Sequence, residues 1–214
     1  MHGFFSSDGA PIAFLNKTGQ LIILSVLWLL CCIPVITAGA STAALFYAVT
    51  KSVRRGRGYP SREFFRAFRI HLAKGAVVTA LLLLFYGLSA YLFFGMAADR
   101  TDTLAGYFGP VLISVLLVTA VAVYIFPVMS RFAQGIGATF RQAAHMSVRC
   151  FYFTILLEAG LLLLIWAQCF VLPLPCILFT PGAGMYVFSF PLEKAMRPYY
   201  PSEVPEGADA WWME

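Results

Sequence analysis

Residues 29–42 read LLCCIPVITAGAST, and they interrupt an apolar run that would otherwise be one very long helix. A continuous helix over 17–50 would extend ~51 Å at 1.5 Å per residue, against ~30 Å of bilayer hydrocarbon. Pro34 has no amide hydrogen and its ring clashes with the preceding turn, while Gly39 permits a chain reversal. The stretch therefore predicts a break over 34–39, marked by Pro34, Thr37 and Gly39, with Ser41 and Thr42 capping the helix that follows. Two short helices result, 17–33 and 40–55, paired as a hairpin. A single kinked span with the N-terminus on the opposite side is the alternative that the same residues allow.

The chain around this stretch is 214 residues long, 60% hydrophobic and only 12% charged. Soluble domains are nearer 45–50% apolar and about 25% charged, so a bilayer is the expected solvent. Five hydropathy peaks begin near Leu21, Ala76, Phe108, Phe151 and Leu172. With the first peak broken, the pattern predicts an all-α polytopic bundle of six short spans: 17–33, 40–55, 74–98, 108–131, 150–170 and 172–194. Pro127 is expected to kink the fourth span, and Pro181, Gly182 and Gly184 to interrupt the sixth. The first apolar run has only Lys17 as a basic flank and ends in PVITAG, so a retained N-terminus is expected. Residues 1–197 read as one transmembrane domain and 198–214 as a mobile acidic tail, in which Trp211 and Trp212 can reach the interface.

The net charge of +5 is unevenly placed. Eight of the fifteen Lys and Arg residues fall between Lys51 and Lys74, and Arg131, Arg141, Arg149, Lys194 and Arg197 flank other span ends. That is the positive-inside pattern, which needs no nucleic acid to explain it. With the hairpin, Lys17 joins the same side and Arg100 alone lies opposite. A multi-pass membrane protein with both termini in the cytoplasm is the expectation.

Two segments preceding spans are amphipathic. In PSREFFRAFRIHLAKG, Phe64, Phe65, Phe68 and Leu72 fall on one helical face and Arg62, Arg66 and Arg69 on the other. In GATFRQAAHMSVRC, Arg141, His145 and Arg149 are spaced i, i+4, i+8. Both predict interfacial elbow helices whose basic side meets anionic lipid head groups. A shift of 75 residues superposes Phe65-Arg66 on Phe140-Arg141, which fits either duplication or a shared topological habit. His71 and His145, on these elbows, read as solvated interfacial histidines.

Glu158, about nine residues into the fifth span, is the one ionisable side chain clearly at depth. A carboxylate there costs several kcal/mol unless it is paired or protonated, so it should face the bundle interior. Thr154, one turn earlier, is placed to donate to it, and Gly160 to admit a neighbouring helix. A proton-titrating or ligand-binding role and a purely structural tie both fit. Gln168 reads as a helix-packing hydrogen bonder. Exposed carbonyls at the 34–39 break resemble transporter ion sites, but Val35 and Ile36 are apolar and favour a plain turn.

No phosphate-binding G-x-x-x-x-G-K-[ST], no H-E-x-x-H and no G-x-S-x-G is present, so ATP hydrolysis, zinc proteolysis and serine hydrolysis lack their usual parts. Five cysteines form no C-x-x-C pair and have no histidine at metal spacing; a metal or other cofactor is not expected, and Cys169–Cys176 is not expected to pair.

The stretch from NKTGQLIILSVLWLL through the Pro34-x-x-Thr37-x-Gly39 break, the small-residue start Ser41-Thr42-Ala43-Ala44 and the Phe-rich basic elbow resembles the opening half of the YesL family of bacterial integral membrane proteins. The C-terminal half is similar only in hydropathy rhythm. The resemblance implies a small polytopic protein often encoded beside carbohydrate uptake and breakdown genes, and it brings no catalytic residues with it. The expectation is a non-enzymatic accessory or regulatory protein with sugar-transporter subunits as partners; a small permease with a polar path around Glu158 is the alternative.

Overall fold

The computed structural model describes residues 10–98, 108–132, 134–170 and 178–199. They form seven α-helices: α1 (Ala10–Cys31), α2 (Ala38–Ala48), α3 (Pro60–Ala98), α4 (Phe108–Arg131), α5 (Ile136–Arg149), α6 (Phe151–Phe170) and α7 (Thr180–Met196). Among the described residues there is no strand, and the molecule is a helical membrane bundle. Helices α3, α4 and α6 are long and apolar enough to cross a bilayer, and α1 is a shorter apolar helix. Arg100, the stretch with Cys176, and tail residues 200–214 lie outside the described residues.

The opening stretch does break the chain. Helix α1 stops at Cys31, a 3₁₀ turn covers Val35–Thr37, and α2 starts at Ala38. Thr37 holds the corner, its hydroxyl donating to the carbonyls of Cys31 and Pro34, the latter at 2.7 Å. The hairpin is antiparallel, and Trp28 Nε1 donates to Thr42 Oγ1 at 3.2 Å across it.

Two details of that corner depart from expectation. Gly39 is not the reversal point: it lies in the first turn of α2, and positive φ is confined to Gly56 and Gly58 among the described residues. Its missing side chain serves packing, since a β-carbon there would stand 2.6 Å from the Phe126 ring and 2.9 Å from the Gly75 carbonyl. Nor do Ser41 and Thr42 cap α2. They sit one turn too far along, and their hydroxyls donate back to the Thr37 and Ala38 carbonyls at 3.0 and 2.8 Å.

Helix α2 is the centre of the bundle. Gly39, Ala40, Ser41, Ala43, Ala44, Leu45, Phe46 and Ala48 are all buried, as expected of a helix without a polar face. Leu45 enters one cluster with Leu21 and Leu24 of α1 and Phe64 of α3; Phe46 enters another with Val78, Tyr124, Val128, Met146 and Met196. Small side chains let the backbones approach, and dispersion and hydrogen bonds replace the hydrophobic effect that hydrocarbon cannot supply.

Helix α3 corrects the first predicted elbow. The amphipathic segment is not a separate interfacial helix but the opening of one 39-residue helix, ~58 Å long at 1.5 Å per residue. No breaker stands between Arg69 and Val78 except Gly75, which is helical and packs closely against Ala40 of α2. The apolar face also meets protein rather than lipid alone: Phe64 is fully buried and Phe68 half-buried, whereas Phe65 and Leu72 are exposed. Past the hairpin, α3 continues beside α4, with Tyr86 OH 3.0 Å from Thr119 Oγ1. Leu81, Leu84, Leu88 and Phe94 are exposed there, a surface suited to lipid.

The second elbow forms as a separate helix. Thr139, Ala143, Met146 and Ser147 of α5 are buried, while Arg141, His145 and Arg149 are exposed. A single residue, Cys150, turns the chain into α6. The two Phe-Arg segments thus differ locally, one continuous with its span and one not. Pro127 lies inside an unbroken α4. Pro181 does not interrupt α7 but sits in its first turn, where the missing amide hydrogen costs nothing. Tyr199, assigned by sequence to the tail, is packed on α5.

Candidate functional site

The C-terminal end of α2 widens into a π-helical turn over Val49–Arg54. Such a turn bonds i to i+5 and shifts the facing of the residues that follow. Lys51 points to α3, where Nζ donates to Glu63 Oε2 at 3.1 Å and to Tyr47 OH at 3.3 Å. Arg54 and Arg55 point to α7, and their Nη1 atoms donate to Glu193 at 2.8 and 3.0 Å. Arg54 also donates to the Ser189 hydroxyl at 3.1 Å and lies over the Phe190 ring.

Arg131, at the end of α4, completes the cluster. Its Nη2 donates to Glu193 Oε1 at 2.9 Å, and only 1% of its side chain is exposed. Among the described residues, Lys51, Arg54, Arg55 and Arg131 thus face Glu63 and Glu193. Four helix ends meet at this basic pole, which fixes the relative direction of α2, α3, α4 and α7.

The predicted interfacial residues lie around the pole but outside the ion-pair network. Arg62, Arg66 and Arg69 are exposed on α3; with Tyr59, Phe65 and Ile70 they line a groove of about 820 Å³. On α5, His145 Nδ1 is 2.9 Å from Tyr199 OH and Arg149 lies over the same ring, while Arg141 lines a separate cavity of about 400 Å³. His71 is half-buried beside α4.

At depth, Glu158 is half-buried and its Oε1 is buried without a hydrogen-bond partner among the described residues. The expected donor is elsewhere. Thr154 Oγ1 lies 3.1 Å from Tyr124 OH and donates to the Ser147 carbonyl at 2.9 Å, so it serves the α5–α6 corner by satisfying a carbonyl that the helix has abandoned. Gly160 does admit a neighbour, since a β-carbon there would stand 2.8 Å from the Phe188 ring of α7. Gln168 Oε1 accepts from Thr180 Oγ1 at 2.8 Å, tying α6 to α7 as expected.

Beside that tie, Trp28, Thr42, Gln168 and Thr180 contribute polar groups to a largely apolar cavity of about 470 Å³ between α1, α2, α6 and α7. Cys31, Cys32, Cys150 and Cys169 are free thiols. Among the described residues no group of three His, Cys, Asp or Glu side chains is placed to hold a metal ion.

Four residues of this arrangement escaped sequence reasoning: Glu63, Glu193, Ser25 and Thr79. The two glutamates carried a usable signal, being isolated acids among the basic span ends, where pairing is the economical use of a carboxylate. The two hydroxyls carried none. Thr79 Oγ1 accepts from the Gly39 amide at 2.9 Å, and Ser25 Oγ from the Gly182 amide at 2.8 Å. Each satisfies a free donor at the start of a short helix that begins inside the bundle, where no water replaces it.

Residues 21–92 match the pattern of a family described as "Protein of unknown function, DUF624". The matched stretch takes in the second half of α1, all of α2, the Lys51–Glu63 pair, the Gly39–Thr79 crossing and most of α3. No curated protein and no solved structure matches the chain.

Proposed function

We propose that this is a non-enzymatic accessory or regulatory protein of the bacterial plasma membrane, working with a carbohydrate uptake system and docking its partner at the basic pole. The observation that carries this reading is the exposed face of Arg62, Arg66 and Arg69 with Phe65 and Tyr59, presented by a helix that the ion-pair cluster anchors. Exposed Arg and aromatic side chains on a rigid element are what partner hot spots are made from. The carbohydrate part rests on the resemblance to YesL-type proteins. Cytoplasmic placement of both termini rests on the concentration of Lys and Arg at this pole.

The test is co-purification after mild solubilisation. Sugar-transporter subunits should be recovered with the wild-type chain and with Glu158→Gln, and lost with the double variant Arg62→Glu, Arg69→Glu. Recovery unaffected by the double variant would remove the pole from the account.

A second reading has one observation of its own, the buried unpartnered Oε1 of Glu158 in α6. A small transporter would use that carboxylate as a titrating or ligand-binding group. Purified protein that moves solute in vesicles, and loses this with Glu158→Gln, would establish it.

A further inference from the structure

The cavity between α1, α2, α6 and α7 lies toward the end of α7 away from Glu193 and the basic pole, and measures about 470 Å³. That volume falls within the roughly 300–1,000 Å³ of ordinary ligand sites, which in bundles form between helices. We infer that it binds one acyl chain of a membrane glycerolipid, whose ester carbonyl accepts a hydrogen bond from Gln168. The inference stands apart from partner docking, which uses the opposite end of the bundle.

The lining is the first argument. Among the described residues no Asp, Glu, Lys, Arg or His lines the cavity, so the enclosed part of the occupant is uncharged. Leu45, Leu161, Leu164, Met185 and Phe188 make most of the wall apolar. Gly184 adds no side chain to this space; a β-carbon there would already stand 3.0 Å from Leu164 Cδ1. Water is held where it finds two to four polar partners, and the polar groups here already bond one another, Trp28 Nε1 with Thr42 Oγ1 and Thr180 Oγ1 with Gln168 Oε1. A dry void of this size forfeits dispersion along its whole wall, and a hydrocarbon chain restores it.

Access is the second. Ile165 and Cys169 line the cavity and are also exposed, so it opens along α6 rather than closing inside the bundle. Helix α6 is long and apolar enough to cross a bilayer, so that mouth faces lipid chains. The polar end is the third. Gln168 stands two residues before the end of α6, beside the exposed rings of Trp166 and Phe170, whose centroids are 6.0 Å apart. Aromatic side chains at a span end mark the membrane interface, where the ester groups of lipids lie. Thr180 takes the Gln168 amide oxygen, and among the described residues no acceptor takes the amide hydrogens. Two N–H donors at the rim of an apolar cavity suit a neutral acceptor attached to a chain, which an acyl ester is.

The experiment uses the full chain in detergent micelles with Trp166, Trp211 and Trp212 replaced by Phe, which leaves Trp28, in the cavity wall, as the single indole. Phosphatidylcholine with brominated acyl chains is titrated in, and quenching of Trp28 fluorescence is followed. Saturable quenching at one lipid per chain is expected. Gly184→Leu, which fills the cavity, should weaken it about tenfold or more. The dialkyl ether counterpart, brominated in the same way but without the carbonyl, should bind about fivefold more weakly than the ester. Gln168→Leu should abolish that difference between ester and ether, a readout that a misfolded Gly184 variant does not affect. Leu84→Ala, on the exposed face of α3, should leave binding within about twofold. Quenching that rises without saturation, as from lipids that merely surround the protein, would overturn the site. So would wild-type binding by Gly184→Leu, or equal binding of ester and ether lipids by the chain that keeps Gln168.

Discussion

A β-carbon on Gly75 would stand 2.6 Å from the Ala40 amide nitrogen and 2.8 Å from its Cα, so Gly75→Ala must push α3 away from α2. Overpacking of this kind costs about 1–3 kcal/mol, which a lowered unfolding midpoint in detergent would register. Gly87, on the same helix, meets nothing within 4 Å, so Gly87→Ala should be neutral or stabilise by about 0.5–1 kcal/mol. The pair separates close packing from a general intolerance of α3. Glu193 gives the complementary electrostatic case. With three guanidinium groups on one carboxylate, Glu193→Ala removes the acceptor they share and should cost about 3 kcal/mol.

At the scale of elements, α3 supplies the sharpest test. Phe64 is fully buried against α1 and α2 while Phe65, its neighbour, is 43% exposed. Phe64→Ala should therefore cost about 3–5 kcal/mol, and Phe65→Ala well under 1 kcal/mol, as measured by unfolding of the two variants side by side. An interfacial anchor would make the two equivalent. What was legible in the sequence follows from the same contrast. Pro34 announced its break because a missing amide hydrogen acts locally, and α5 announced its basic face because i, i+4 spacing is local too. Gly39 and Gly75 did not disclose their role, since a glycine kept for space reads the same as one kept for φ. The continuity of α3 was hidden because a change of polarity marks where a membrane begins, not where a helix ends.

For the whole molecule, the elements combine into a bundle built outward from a short buried helix that touches α1, α3, α4 and α7. The candidate site was half legible. Its exposed arginines were readable from charge placement, but Arg54 and Glu193 lie 139 positions apart, and Thr154 turned from Glu158 to a corner that the chain had not yet revealed. The central claim is the antiparallel α1–α2 hairpin, because it makes α2 the core and brings the start of α1 and the loop after α2 to one side. Topology reporters fused at residues 8, 57 and 104 test it directly. The account predicts that 8 and 57 report the cytoplasm and 104 the opposite face. Residue 8 reporting the face opposite to 57 would contradict it.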